Sequence, residues 1–105
     1  MGIKNTSIEN INKLYKKINN DTHFVIFGKT ECPYCIKTLE LLKINKIKYK
    51  YYPINDFFNL FFSVFVKLAN IYPELNIDIL HETVPVIFYK KQFIGGYTNL
   101  KSILG

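Results

Sequence analysis

Ile8, Ile11, Tyr15 and Ile18 recur at helical spacing, and Thr6 with Glu9 has the form of a capping box, so the first element predicted is a helix with one packed face. Asn19-Asn20-Asp21-Thr22 ends it. The next run, His23-Phe24-Val25-Ile26-Phe27, is short, apolar and β-rich, and Gly28-Lys29-Thr30-Glu31 breaks it as a turn would. Ile36, Leu39 and Leu42 then predict the apolar stripe of an amphipathic helix. Pro33 falls at its first position, where a missing N–H has no intrahelical partner to lose. Lys48-Tyr49-Lys50-Tyr51-Tyr52 alternates polar and aromatic positions in strand fashion, with Pro53 closing the run. A strand reached through a helix makes a parallel βαβ unit.

Residues 56 to 72 are apolar nearly all round, with Phe57, Phe58, Phe61, Phe62 and Phe65 joined by Leu60, Val64, Val66 and Leu68. Steps of three and four among Phe58, Phe61, Phe62 and Phe65 predict a helix whose phenylalanines are core, or in part a contact patch. Between Pro73 and Glu82, Ile77, Ile79 and Leu80 predict a segment that packs down as a short turn of helix. Val86-Ile87-Phe88-Tyr89 is a strand entered through Pro85, and Lys90-Lys91-Gln92 turns it into an antiparallel partner at Phe93-Ile94. Gly95-Gly96 allows a close turn into a last helix starting near Thr98.

Composition narrows the class. With 105 residues, 49% of them hydrophobic and 16% aromatic, a single domain spanning 1–105 with a real core is expected. No apolar run has the length of a membrane span, and the N-terminus lacks a secretory pattern. Met1 to Thr6 fits the form of a myristoylation start, a short pattern that is common by chance. The net charge of +6 invites a nucleic-acid reading, but the 14 basic residues are all lysine, dispersed over several elements, with no arginine for base readout. A solvated surface is expected, with no nucleic acid and no membrane as partner.

The chemistry lies at Cys32-Pro33-Tyr34-Cys35. Two cysteines at this spacing, in a chain without export signals, point to a reducing compartment and a catalytic pair, with a cytoplasmic location as the expectation. Cys32 caps the helix that Pro33 opens. Unpaired N–H groups of the first turn and the macrodipole favour an anion there, which makes Cys32 the expected nucleophile. Cys35, one turn deeper on the same face, is the expected resolving thiol.

The C-P-Y-C motif, preceded by Lys29 and followed by Thr83-Val84-Pro85 and then Gly95-Gly96-Tyr97-Thr98-Asn99-Leu100, resembles a glutaredoxin of the dithiol type within the thioredoxin superfamily. The resemblance covers nearly the whole chain. It implies an α/β thioredoxin fold: a central four-stranded mixed sheet flanked by helices, with an N-terminal helix and a short C-terminal one. It also implies that Cys32 and Cys35 form a redox-active disulfide and that glutathione is the co-substrate, with no metal. A proline at a strand start reads by itself as a trans edge residue; the resemblance makes Pro85 cis, with the Val84 backbone offered to glutathione. Lys29, Tyr34, Thr83, Val84, Pro85, Gly96, Thr98 and Asn99 become its binding residues. Lys29 serves a carboxylate and Thr98 anchors the γ-glutamyl carboxylate at a helix start, while Tyr34 and Tyr97 line the groove.

Three departures bear on that site. Asn99 stands where the family usually has aspartate, so the γ-glutamyl amino group meets a neutral acceptor and glutathione binds more weakly. Glu82 stands where a basic residue is common, leaving the glycyl carboxylate to Lys29, helped by a lysine such as Lys67. The chain stops at Gly105, sooner than relatives with a long terminal helix, which predicts thinner cover at that corner. Expected partners are glutathione and disulfide-bearing proteins, ribonucleotide reductase among the candidates, met by a monomer. Three alternatives stand beside the glutathione-dependent oxidoreductase. A thioredoxin-like redoxin served by a flavoprotein reductase lacks the tryptophan and C-G-P-C of that group. A metal module of Cys32, Cys35, His23 and His81 fits no zinc spacing. A glutathione-ligated iron-sulfur carrier is disfavoured by Pro33.

Overall fold

The computed structural model describes residues 8–55 and 58–105, and of residues 58 and 59 the backbone alone. The capping residue Thr6, the Met1–Thr6 pattern, Phe57 and the Phe58 side chain therefore lie outside what is described. The element order is α1 (Ile8–Ile18), β1 (Phe24–Gly28), α2 (Pro33–Ile44), β2 (Tyr49–Pro53), α3 (Phe58–Ile71), a 3-10 turn (Pro73–Leu75), β3 (Val86–Tyr89), β4 (Gln92–Gly95) and α4 (Tyr97–Leu104). The four strands form one mixed sheet in the order β2-β1-β3-β4. β1 runs parallel to β2, pairing Phe24 with Tyr49 and Gly28 with Pro53, and antiparallel to β3, pairing Phe24 with Tyr89 and Phe27 with Val86.

β1 lies inside the sheet and is buried along its whole length, which is why it reads as a continuous apolar run instead of an alternating one. Its side chains still alternate between two cores. Val25 and Phe27 join Ile11, Leu14 and Ile18 of α1, Phe61, Phe65 and Leu68 of α3, and Val86 and Phe88 of β3. Phe24 and Ile26 face Leu42 of α2, Ile87 of β3 and Leu100 of α4 on the other side. Helices α1 and α3 thus cover one face of the sheet, and α2 and α4 the other.

The structure corrects four expectations of packing. Ile8 is exposed, and Leu14 takes its place on the buried face of α1. On α2 the buried residues are Cys35, Thr38 and Leu42; Ile36 is exposed and Leu39 only half-buried. Hydropathy ranks Ile36 above Thr38, but Thr38 meets its own polar demand by donating from Oγ1 to the Tyr34 carbonyl at 2.7 Å, so it is buried at little cost. Within the phenylalanine helix, Phe61 and Phe65 are core, Phe62 is half-buried and Val66 is exposed. After it, the short turn of helix sits at Pro73–Leu75, carried by Leu75, whereas Ile79 and Leu80 are exposed and Ile77 half-buried.

The β3–β4 turn is tighter than its composition suggests. Lys90 and Lys91 both adopt positive φ, 50° and 64°, the backbone of a two-residue hairpin turn usually made by asparagine and glycine.

Candidate functional site

Cys32 occupies the N-cap of α2 in extended geometry, and Pro33 opens the helix. Extended backbone at Cys32 turns its sulfur back over the first turn, where the Cys35 N–H donates to Sγ at 3.4 Å. The Cys32 Sγ in turn donates to the Val84 carbonyl at 3.9 Å. The Val84-Pro85 bond is cis, as the resemblance implies, and Val84 stands directly across from the cysteine. Cys32 is partly accessible and Cys35 is 1% exposed, both as free thiols.

The outer residue of the pair therefore meets solvent while the inner one is enclosed. Burial pushes the Cys35 thiol up to about 12, helped by the side chain of Cys32 beside it. Gly28, at the end of β1, is the reason the enclosure closes. A Cβ on Gly28 would lie 2.8 Å from the Cys35 sulfur and 2.8 Å from the Tyr51 hydroxyl. Tyr51 reaches in from the neighbouring strand and donates to the Lys29 carbonyl at 2.9 Å. Burial, then the thiol of Cys35, push the Tyr51 hydroxyl up to about 12.

A groove of about 240 Å³ runs along one side of the Cys32–Val84 contact, lined by Tyr34, His81, Thr83, Val84, Pro85, Gly96, Tyr97, Thr98 and Asn99. Seven of the eight expected glutathione-binding residues meet in it. Tyr34 and Tyr97 approach with ring centroids 5.9 Å apart. The floor at Gly96 is held by two groups. Asn99 Oδ1 accepts from the Gly96 N–H at 3.0 Å, and the His81 ring stands against Gly96 with Nε2 3.2 Å from the Pro85 carbonyl. Asn99 is thus occupied in capping its own helix.

Lys29 is the residue the groove does not include. It lies with Thr30, Glu31, Cys32 and Asn55 around a separate hollow of about 310 Å³. That loop is tied to the chain after β2: the Thr30 N–H donates to Asn55 Oδ1 at 3.1 Å, and Asn55 Nδ2 donates to Thr30 Oγ1. Cys32 is flanked by an open groove on one side and the loop bearing Lys29 and Glu31 on the other. Lys67 and Glu82 are both exposed and belong to neither lining.

Sequence reasoning left Asn55 and Tyr51 out of the site and weighed His81 only as a metal ligand. His81 precedes the motif in a stretch without periodicity, and Tyr51 reads as one aromatic among three on its strand. The available signal was Gly28: a glycine ending a buried strand four residues before Cys32 marks close approach by other atoms. Among the described residues, no group of three His, Cys, Asp or Glu side chains is placed to hold a metal ion.

A cysteine pair at a helix start, facing Val84 on a β2-β1-β3-β4 sheet, has the arrangement of a thiol oxidoreductase of the thioredoxin superfamily. Comparison with known proteins narrows this. The Glutaredoxin family model matches residues 24–94. A protein of Acanthamoeba polyphaga mimivirus described as "Probable glutaredoxin" is 32% identical over 81 residues, 77% of this chain and 76% of that protein. The chain belongs to the glutaredoxin family. Its fold matches reduced glutaredoxin C1 from Populus tremula x tremuloides with a TM-score of 0.69 at 22% identity, covering 97% of this chain and 80% of that one. A buckwheat glutaredoxin-glutathione complex matches with a TM-score of 0.67 at 20% identity, covering 90% and 77%. The dithiolic glutaredoxin 2-C-Grx1 of Trypanosoma brucei brucei matches at 0.60 and 24%, covering 86% and 84%.

Proposed function

We propose that this thiol-disulfide oxidoreductase draws its electrons from glutathione and acts on protein disulfides and glutathione mixed disulfides, with Cys32 as nucleophile and Cys35 as resolving thiol. The observation that carries the proposal is the convergence of Tyr34, Thr83, Val84, Pro85, Gly96, Thr98 and Asn99 in one groove beside the Cys32–Val84 contact. It is large enough for a short extended peptide to approach the sulfur along the Val84 backbone. At its far end, the first-turn N–H groups of α4 suit the γ-glutamyl carboxylate. Lys29, on the other side of Cys32, serves the remaining carboxylate. A named relative in complex with glutathione supports the same co-substrate.

In the reaction the Cys32 thiolate attacks one sulfur of the substrate disulfide. A bond from Cys32 to that sulfur forms, the substrate S–S bond breaks, and the other sulfur leaves as thiolate and takes up a proton. Either Cys35 or a glutathione thiolate then attacks the mixed disulfide. Attack by Cys35 releases the substrate thiol and leaves the Cys32–Cys35 disulfide, which two glutathiones reduce while they become glutathione disulfide. Attack by glutathione releases the substrate thiol and leaves Cys32 glutathionylated, and a second glutathione thiolate then attacks the glutathione sulfur, breaking its bond to Cys32 and giving glutathione disulfide and the free Cys32 thiolate. The N–H of Cys35 aimed at Cys32 Sγ favours the charge that appears on that sulfur whenever it leaves.

Incubation of Cys35→Ser with glutathione disulfide, followed by peptide mass spectrometry, tests this. The expected product is glutathione joined to Cys32. Absence of the adduct while Cys32 still reacts with a small aromatic disulfide would remove the glutathione site and favour a redoxin served by another reductant.

A further inference from the structure

Resting on the dithiol reading above, we propose that Tyr51 is a catalytic residue of the resolving arm: its hydroxyl donates a hydrogen bond to the Cys35 sulfur while that sulfur is a thiolate.

The sulfur and the hydroxyl share one enclosed spot. Each lies 2.8 Å from the point where a Gly28 Cβ would stand, so they are separated by no more than twice that distance, with no side chain of Gly28 between them. Both also line a hollow of about 320 Å³ with Lys29, Thr30, Glu31, Ile36 and Leu39. The hydroxyl is held within reach by its bond to the Lys29 carbonyl at 2.9 Å and by the pairing of Tyr51 with Ile26 on β1. Cys35 sits on the buried face of α2, where water has little access. Its burial raises the cost of the thiolate, and the Lys29 backbone, then the Tyr51 hydroxyl, lower it.

The chemistry calls on such a donor at a defined moment. When a thiolate attacks Cys32 in the Cys32–Cys35 disulfide, the new bond forms to the Cys32 sulfur. The S–S bond breaks, and its electron pair goes to the Cys35 sulfur. The attacking thiol is oxidised to a mixed disulfide with Cys32 as Cys35 is reduced, and a solvent proton finally converts the Cys35 thiolate to thiol. Between bond breakage and protonation a charged sulfur exists in a poorly solvated place. Turning the Tyr51 O–H from the Lys29 carbonyl toward that sulfur is the motion the proposal requires. The same donor assists the forward step, in which Cys35 must lose its proton before attacking the mixed disulfide on Cys32.

Stopped-flow reduction of the preformed Cys32–Cys35 disulfide by dithiothreitol, in wild type and Tyr51→Phe, tests the assignment without requiring any glutathione site. A fall of roughly ten-fold or more is expected, the size of one hydrogen bond to a charged group. Turnover of a glutathione mixed disulfide by glutathione is measured alongside, because that route needs only Cys32. The Tyr51→Phe effect on it should be several-fold smaller, and should collapse further in the Cys35→Ser background. Equal losses in both assays would overturn the proposal and make Tyr51 a fastener of the Lys29 loop; no loss in disulfide reduction would also overturn it. Failure of glutathione turnover in the wild type alone would count against the co-substrate and leave the dithiothreitol comparison decisive for Tyr51.

Discussion

The Cys35 N–H points at the Cys32 sulfur from 3.4 Å, so the inner cysteine supports the outer one through its backbone while its own thiol is shut away behind the helix. One helical turn thereby gives two chemically identical side chains opposite exposures. The partly accessible sulfur at the N-cap is within reach of a substrate, and the enclosed one is reachable only by a group already bonded to its neighbour.

Selective alkylation reads out this division. At pH 7, iodoacetamide should modify Cys32 and leave Cys35 a thiol, because burial holds Cys35 up to about 12. Peptide mapping before and after unfolding in urea checks it. Comparable labelling of both residues in the native state would contradict the enclosure of Cys35.

Stability should fall in alkaline solution. Cys35 rises from 9.0 to about 12 and Tyr51 from 10.0 to about 12, so the native state holds both protons more tightly than the unfolded chain. The contribution is complete below pH 9 and is lost as pH rises through 12, at no more than about 1.4 kcal/mol per pH unit for each group. Urea midpoints at pH 8 and pH 10.5 should differ, with a shallower drop for Cys35→Ser. An unchanged wild-type midpoint would contradict the burial of these groups.

Substitution of Gly28 by alanine should disturb the site from behind. The new Cβ would meet the Cys35 sulfur and the Tyr51 hydroxyl at 2.8 Å and the Tyr51 ring at 3.1 Å, so these side chains must shift to admit it. A cost of about 1 to 3 kcal/mol is expected from overpacking. Thermal unfolding of reduced Gly28→Ala checks the size; stability equal to wild type would mean the pocket is looser than these distances indicate.

Asn99 offers a separate test of the groove's floor. Its Oδ1 satisfies the Gly96 N–H, so Asn99→Ala should cost about 0.5 to 1.5 kcal/mol, the size of one hydrogen bond. Asn99→Asp keeps the acceptor and places a negative charge at the start of α4, which should add about 0.3 to 1 kcal/mol. If both substitutions lower stability equally, the cap is not what Asn99 contributes.

The hairpin turn is a place where the chain is less stable than it can be. Lys90 and Lys91 hold left-handed backbone that costs side-chain-bearing residues about 1 to 2 kcal/mol each. Replacing them with asparagine and glycine should raise stability by roughly 1 kcal/mol or more. Little is lost in exchange, since the 3.8 Å Lys91–Asp21 ion pair is solvent-exposed. Urea titration of Lys90→Asn with Lys91→Gly decides the matter, and a lower midpoint would contradict it.

The order of elements was legible because each rests on local signals: Pro33 at a helix start, an unbroken apolar run for the buried β1, and Gly95-Gly96 before α4. The site was legible where a motif fixed it, as with Cys32, Cys35 and the groove residues from Tyr34 to Asn99. Which face of α2 turns inward was not. Placing Cys35 against Gly28 puts Thr38 and Leu42 on the buried side and leaves Ile36 exposed, whatever their hydropathy. His81 and Tyr51 were missed for a similar reason. Their positions depend on how distant strands and loops meet, and neither residue alters the period of its own segment. Lys29 showed the converse: the motif named the residue, and only the structure separated it from the groove across Cys32.

The most direct test of the account is glutathione-dependent turnover of a small mixed disulfide by wild type, Cys32→Ser and Cys35→Ser. Activity should vanish with Cys32→Ser and persist with Cys35→Ser, because the proposed glutathione route uses Cys32 alone. Loss of activity in neither variant, or in the wild type itself while its Cys32–Cys35 disulfide remains reducible, would contradict a glutathione enzyme working through Cys32.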